Sequence, residues 1–331
     1  MTNSHPLVSV IIPTYNREIY IGRAIKSAQS QLYKNIEIIV VDDGSTDNTK
    51  EVVKLFGDVQ YYYKENGRQA SARNAGLKIA KGEYICTLDS DDFWHPNFLS
   101  ECMEQMFKYD YNFVFANSLK DKGNNTEISS LGELNNTPLL KKYFQDEPYI
   151  NQNWVHLNHE EIKSIYLKTC PAPSSALVFK KSTMIDNWEE KIKVADDWEY
   201  VLRNLLSNRC DTAFCKTPLW TKHIIGDNVY ESLNNNQEVK SIIVHDYRII
   251  IKNNIKYLSK KEKHELNQHR VNICFLSVYR NLVNKNLKES ITFLLLSFRC
   301  SFFKTIIKIF RLNYLTILIK VNSKLIKALK K

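Results

Sequence analysis

Three aspartates stand within four positions in the segment TLDSDDFW, residues 87–94. Asp89, Asp91 and Asp92 directly follow EYICTL, a short apolar run with the composition of a buried strand. Carboxylates held this close repel each other and lose hydration, and a hard divalent cation such as Mg²⁺ or Mn²⁺ offsets both costs. Aspartate is also favoured at helix caps and in the first helical turn, so a solvated helix start is the alternative interpretation.

Four predicted strands each end in an unusual polar turn. VSVIIP leads into PTYNRE, IEIIVVD into VDDGSTDNT, VQYYY into YYKENGRQASARN, and EYICTL into DSDD, with helical spacing between these runs. Strands that alternate with helices predict a parallel sheet, whose ligands bind outside the carboxyl ends of the strands. We therefore expect the four turns to form a single site.

The side chains of these turns suit a nucleotide better than other common ligands. The chain contains no GxGxxG and no GxxxxGK[ST], which argues against a nicotinamide-dependent dehydrogenase and a P-loop NTPase. Tyr15 could stack on an aromatic base and Asp43 could accept hydrogen bonds from it. Arg68 or Arg73 could approach a diphosphate. The expected ligand has a base, hydroxyls and phosphates.

The basic charge is concentrated near the C-terminus. The chain has a formal net charge of +10; residues 240–331 contain 20 Lys and Arg against 4 Asp and Glu, a net charge of +16, which leaves −6 for residues 1–239. Such asymmetry indicates contact with an anionic surface by one part of the chain.

The last forty residues predict basic amphipathic helices. Phe303, Ile306, Ile307 and Phe310 share one helical face, while Lys304, Lys308 and Arg311 lie on another, and the spacing recurs at Lys320, Lys324, Lys327 and Lys331. The charge-free runs are too short for a membrane span, which needs roughly 18 or more apolar residues. We expect this tail to lie on an anionic membrane surface. Packing against the rest of the chain or another subunit is the alternative.

Four motifs in order carry a resemblance to a known family. VSVIIPTYNRE, IEIIVVDDGSTDNT, ENGRQASARNAGLKIAKGEYICTLDSDDFWHP and ADDWEY resemble those of glycosyltransferase family 2, the inverting nucleotide-sugar glycosyltransferases with the GT-A fold. The resemblance covers about residues 7–225. It implies transfer of a sugar from a nucleoside diphosphate donor, usually UDP-linked, with Mn²⁺ or Mg²⁺ as cofactor and inversion at the anomeric carbon.

The resemblance also implies roles for individual residues. Pro13 and Tyr15 would line the nucleotide pocket and Asp43 would read the base, while Asn66 and Arg73 match Asn-Gly and ARN signatures that face the nucleotide. Asp91 is the expected direct metal ligand and Asp89 lies nearer the ribose. The full set of expected donor and metal contacts is Pro13, Tyr15, Asp43, Asn66, Arg68, Arg73, Asp89, Ser90, Asp91 and His223.

A catalytic base is expected in ADDWEY. A single-displacement transfer needs a group that accepts the proton of the acceptor hydroxyl, and the resemblance implies Asp197 for this role with Asp196 as its orienting neighbour. Relatives more often have Glu at the position of Asp196, so this chain departs from the pattern there. Taken alone, an acidic pair at a helix start is also common capping.

The sequence thus predicts an α/β fold of GT-A type: a Rossmann-like mixed, mostly parallel sheet flanked by helices, followed by a C-terminal helical extension. We expect a glycosyltransferase domain over residues 1–234 and a basic helical region over 235–331, membrane-associating or oligomerising. The expected enzyme moves a sugar from a UDP-sugar to a glycan or lipid-linked acceptor on the cytoplasmic face of a membrane, in cell-surface polysaccharide or glycoconjugate biosynthesis. Alternatives are a nucleotidyltransferase and a basic nucleic-acid-binding protein, although the tail lacks nucleic-acid motifs.

Overall fold

A computed structural model describes residues 5–121, 140–145, 152–184, 187–224 and 236–311. The chain divides into two compact units, Met1–Glu231 and Ser232–Lys331. Lys320, Lys324, Lys327 and Lys331 of the predicted basic tail lie outside the described residues, as do residues 122–139.

The first unit alternates strands and helices as its hydrophobic pattern predicts. Its strands are β1 Val8–Thr14, β2 Ile36–Asp42, β3 Val59–Tyr63, β4 Tyr84–Thr87, β5 Phe93–Trp94, β6 Phe113–Asp121, β7 Trp154–Leu157, β8 Leu177–Lys180 and β9 Thr212–His223. Its α-helices are α1 Ile21–Gln29, α2 Thr49–Val53, α3 Arg68–Ile79, α4 Phe98–Tyr109, α5 Lys141–Gln145, α6 His159–Tyr166 and α7 Asp196–Ser207. Short 3₁₀ turns occupy Ser174–Ala176 and Lys181–Thr183.

The nine strands found among the described residues form one mixed sheet, with the order β3-β2-β1-β4-β8-β6-β9-β5 and β7 paired to β9. Strands β1 to β4 are parallel, and their register aligns Thr14 with Asp42 and Asp42 with Tyr63. Strands β1, β2 and β3 end level with one another, and β4 runs parallel beside β1, so the turns that follow all four meet at one edge of the sheet. The predicted α/β architecture is confirmed.

Helices α1 and α3 cover the parallel strands closely. The buried face of α1 consists of Ile21, Ala24, Ile25 and Ala28, as its spacing predicts. At Gly76 a Cβ atom would lie 2.4 Å from Cγ2 of Ile11, so α3 approaches β1 more closely than any side chain larger than glycine allows. This contact fixes the height of α3 above the sheet.

The structure differs from the sequence pattern in two places. The composition of TAFCKTPLWTKH predicts a pair of strands, but the segment forms the single strand β9, which pairs with β6 in parallel and with β5 and β7 in antiparallel fashion. A register shift at Asn117 lets this long strand stay paired while it bends. Strand β7 and helix α6 were not predicted, because they lie in a segment without clear periodicity.

The second unit is helical throughout its described residues, as predicted. Its helices are α8 Asn236–Ser241, a π-helical turn Ile242–Asp246, α9 Tyr247–Asn254, α10 Lys260–Val283, α11 Leu287–Cys300 and α12 Phe302–Arg311. Phe293 of α11 is fully buried in a core that includes Ile243, Val271 and Phe275. Helix α10 begins with a capping box formed by Ser259 and Glu262.

Within the helices that the structure describes, no stretch is both long and apolar enough to cross a lipid bilayer. The exposed surface of α12 nevertheless includes large apolar side chains: Phe302 is 60% exposed and Phe303 is 79% exposed.

Candidate active site

A cavity of about 440 Å³ lies at the carboxyl edge of strands β1 to β4. Apart from Arg73 and His223, every residue predicted for the site lines it, namely Pro13, Tyr15, Asp43, Asn66, Arg68, Asp89, Ser90, Asp91, Asp196 and Asp197. Four separate turns and the start of α7 therefore form one pocket.

Asp43 is held rigidly at one end of this pocket. It is buried and directly follows β2, and its carboxylate accepts a 2.6 Å hydrogen bond from Lys64 Nζ and bonds of 3.0 and 3.1 Å from the N–H of Gly67. The amide of Asn66 donates to the Asp43 carbonyl oxygen. Gly44 follows with φ +88°, a conformation that glycine adopts most easily. The fixed carboxylate suits recognition of a donor group on a base.

The DSDD turn does not start a helix. Strand β5 follows it at Phe93, and α4 begins only at Phe98 with Asn97 as its N-cap. The turn is closed instead by a 3.0 Å hydrogen bond from the N–H of Asp92 to the carbonyl of Asp89. The helix-cap interpretation of these aspartates is therefore wrong.

The carboxylates of this turn disfavour each other's ionised form. Burial and the neighbouring charge of Asp89 raise the pKa of Asp91 to about 6. Burial, followed by the charges of Asp91 and Asp89, raises the pKa of Asp92 well above its ordinary value. Asp92 is supported by the hydroxyl of Ser175 at 2.7 Å and the N–H of His223 at 3.2 Å. Additional positive charge at Asp91 would relieve this repulsion.

A divalent cation fits this arrangement when phosphate oxygens complete its coordination. Among the described residues, no three His, Cys, Asp or Glu side chains converge as a metal site made of protein alone requires. Mg²⁺, however, is commonly bound by one or two carboxylates together with substrate phosphates. Asp91, with Asp89 beside it at the pocket wall, provides such a partial site.

Arg73 lies beneath the pocket and joins its two acidic motifs. Its guanidinium is fully buried; Nη1 donates to Asp196 at 2.5 Å and to Asp197 at 2.7 Å, and Nη2 donates to Asp89 at 2.9 Å. The resemblance implied a nucleotide contact for Arg73, whereas the described contacts of its guanidinium are with these three carboxylates. Arg73 thus carries the counter-charge that keeps them close.

The two aspartates of ADDWEY differ in environment. They begin α7, whose N-cap is Ala195 and has no side-chain cap hydrogen bond, so capping does not explain them. Asp197 has a side chain that is 20% exposed, against 7% for Asp196. Burial raises the pKa of Asp196 to about 7, although Arg73 lowers it. Asp197 is the more accessible to a substrate.

His223 occupies a different position from the one predicted. Its Nδ1 lies 3.1 Å from a carboxylate oxygen of Asp121, and its ring packs against Tyr20. It is not part of the pocket wall formed by the described residues, where its neighbour Lys222 is found instead. Side chains alternate along a strand, so a pocket-facing Lys222 directs His223 to the other face of β9.

Several pocket residues were missed by sequence reasoning. Arg17, Gln69 and Lys222 line the cavity, and Gln69 donates to Asp89 at 3.0 Å. Arg17 belongs to the PTYNRE turn, so its position after β1 was a usable signal. Ser174 and Ser175 contact the acidic motifs and lie in CPAPSSALVF, a segment without a recognisable motif.

The sheet and its acidic pocket define the protein as one with a GT-A type fold. The TarS fragment 1–349 of S. aureus, solved in complex with UDP-GlcNAc, superposes with a TM-score of 0.54 over 92% of this chain and 92% of that chain. The sequence identity is 16%, so the likeness shows the fold alone.

Sequence comparison supports the same class for part of the chain. Residues 9–163 match the model of Glycosyl transferase family 2, so this part of the chain is similar to that family. An uncharacterized glycosyltransferase of Rickettsia typhi is 50% identical over 112 residues, which are 34% of this chain and 35% of that protein. Hyaluronan synthase of Pasteurella multocida is 46% identical over 110 residues, 32% of this chain and 11% of the synthase. The chain thus spans about a third or less of these relatives.

Proposed function

We propose that this protein is an inverting glycosyltransferase that moves a sugar from a nucleoside diphosphate, UDP in particular, to a hydroxyl of a glycan or lipid-linked acceptor. The observation that carries the proposal is a single pocket that three groups line together. They are the rigid carboxylate of Asp43, which would recognise the nucleobase, the DSDD turn, which would hold the metal, and the accessible carboxylate of Asp197, which would act as catalytic base. In this assignment Asp43 recognises the base, while Tyr15, Asn66 and Arg68 contact the nucleotide.

The pocket supports a single displacement. Asp197 accepts the proton of the acceptor hydroxyl while that oxygen bonds to the anomeric carbon and the bond from this carbon to the diphosphate oxygen breaks. Among contacts with described residues, Oδ2 of Asp197 accepts only the N–H of Ser174, which leaves a lone pair for the acceptor. A divalent cation held by Asp91 and Asp89 would supply charge stabilisation for the leaving diphosphate.

Slow donor hydrolysis tests this function without knowledge of the acceptor. The full chain is incubated with a panel of UDP-sugars and GDP-sugars in the presence of Mn²⁺, and released nucleotide is measured. We expect hydrolysis of a UDP-sugar and its loss in EDTA. Hydrolysis of nucleoside triphosphates in preference to sugar donors would contradict the proposal.

We further propose that the second unit binds the cytoplasmic face of a membrane as a peripheral domain, in cell-surface polysaccharide or glycoconjugate biosynthesis. The support is physical: exposed Phe302 and Phe303 lie within residues 290–331, a segment that contains nine Lys and Arg. A polybasic segment gains about 1 kcal/mol of binding free energy for each Lys or Arg near an anionic bilayer. Apolar side chains that insert into the bilayer surface add to this binding free energy.

The membrane proposal predicts salt-sensitive liposome binding. The full chain should sediment with anionic liposomes at low salt and be partly released at high salt, because the charges are screened. The double variant Phe302→Ser and Phe303→Ser should bind several-fold more weakly while it still hydrolyses donor. Substitution is preferable to truncation near Glu289, which would remove the buried Phe293. Equal binding to zwitterionic liposomes, or unchanged binding by the variant, would contradict the assignment.

A further inference from the structure

Two adjacent serines contact different halves of the pocket. Ser174 and Ser175 are the first residues of the 3₁₀ turn before β8, and both are buried. Their side chains diverge toward separate acidic motifs, one at the start of α7 and one in the DSDD turn.

Ser174 contacts Asp197 through two groups. Its N–H donates to Oδ2 at 2.9 Å and its hydroxyl donates to Oδ1 at 2.6 Å. Oδ1 also accepts from Arg73, so that oxygen is committed to the protein while Oδ2 keeps a free direction. Ser174 therefore fixes which oxygen of Asp197 is available to a substrate.

Ser175 contacts the DSDD turn through its hydroxyl. The hydroxyl donates to Oδ2 of Asp92 at 2.7 Å and accepts the N–H of Asp89 at 3.1 Å. It therefore ties the first residue of the turn to the last, on either side of Asp91. Asp197 does not take part in these contacts.

The serine turn is itself anchored to the sheet. The hydroxyl of Thr87, at the end of β4, donates to the Ser174 carbonyl at 3.1 Å, and the indole N–H of Trp94 in β5 donates to the Ser175 carbonyl at 2.8 Å. The backbone is therefore held independently of the two hydroxyls. Removing one hydroxyl should disturb its own carboxylate contacts and leave the turn in place.

We propose that Ser174 and Ser175 are positioning residues with separate tasks. Ser174 orients the catalytic base Asp197, and Ser175 holds the conformation of the DSDD turn around Asp91, where the donor and the metal would bind. This inference rests on the proposed sugar transfer and adds a division of labour within it. Neither serine needs to touch the reacting atoms. Ser174 acts through the carboxylate of Asp197, whereas Ser175 acts through the N–H of Asp89 and the carboxylate of Asp92, which lie on either side of Asp91.

The test compares Ser174→Ala with Ser175→Ala in the full chain. The probes are UDP with Mn²⁺ for affinity and the UDP-sugar that the wild type hydrolyses fastest for kinetics. Ser174→Ala should lower kcat by about tenfold to a hundredfold, the cost of a hydrogen bond to a charged group, with Kd and KM unchanged. Ser175→Ala should raise the Kd for UDP with Mn²⁺ by about tenfold and lower kcat at saturating donor much less.

Ser30→Ala is the matched control. Ser30 follows the end of α1, and among the contacts described its exposed hydroxyl donates only to the carbonyl of Lys26 in that helix. Thermal melting establishes that each variant is folded. If Ser175→Ala melts early, Ser175→Cys replaces it, since its thiol keeps the volume and a weak donor.

The possible outcomes separate the two levels of inference. Equal effects of both variants on kcat and Kd, or effects in the reverse order, would overturn the division of tasks. A wild-type protein that binds no UDP with Mn²⁺ and hydrolyses no donor would instead contradict the proposed function.

Discussion

Asp91→Asn should reduce donor turnover by at least about 100-fold at pH 8. A catalytic metal stabilises such a transition state by several kcal/mol, and in the proposed function this substitution removes a charge that would hold the metal. The pKa of Asp91 is raised to about 6, so the side chain is ionised in this assay and the loss of charge is complete. The affinity for UDP should lose its dependence on Mn²⁺. Isothermal titration with and without Mn²⁺, together with hydrolysis rates, measures both effects.

Asp58→Asn provides a matched control for the loss of one carboxylate. Asp58 is an exposed turn residue with φ 57°, a conformation that asparagine also tolerates. It should keep normal rates. Turnover of Asp91→Asn at the wild-type rate in EDTA would show that the acidic turn does not serve a metal.

Asp197→Asn should lose about 10² to 10⁴ in turnover while it keeps its affinity for UDP, since a general base contributes a factor of this size. Its side chain is the more exposed of the pair, and Ser174 and Arg73 hold it at the pocket. Asp196→Asn should lose less, because Asp196 is nearly buried and faces Arg73.

Rates and nucleotide affinity for the two variants are measured side by side. A larger loss for Asp196→Asn would transfer the role of base to Asp196. Loss of UDP binding in Asp197→Asn, with normal melting, would show that the pair supports the donor site and has no role as base.

The sequence predicted the fold well where local pattern and topology agree. Short runs rich in Val, Ile and Tyr specify β1 to β4. A parallel arrangement places the turns after these strands at one edge of the sheet, so the convergence of Tyr15, Asp43 and Asp91 follows from chain order. Chain order does not locate Asp196 and Asp197. Only the family resemblance predicted their role, because an acidic pair at a helix start is also explained by ordinary helix capping.

The directions of the side chains of Arg68 and Arg73 were predicted less well, although the geometry of an α-helix separates them. Arg68 and Arg73 are five residues apart on α3, which places them about 140° apart around the helix axis. They therefore cannot both face one ligand; Arg68 lines the pocket, whereas Arg73 lies beneath the carboxylates. The contacts of Ser174 and Ser175 depend on a 3₁₀ turn, and no periodic pattern in the sequence predicts its position.

Arg73 also limits how this site can change by mutation. Its fully buried guanidinium serves Asp89, Asp196 and Asp197 together, so replacing it leaves three carboxylates without their shared counter-ion. Neutralising one aspartate is a smaller disturbance than losing the arginine, because two partners remain. Viable sequences at these four positions should therefore be strongly interdependent: in a saturation library, replacements of Arg73 should survive only with neutral residues at one or more of the aspartate positions.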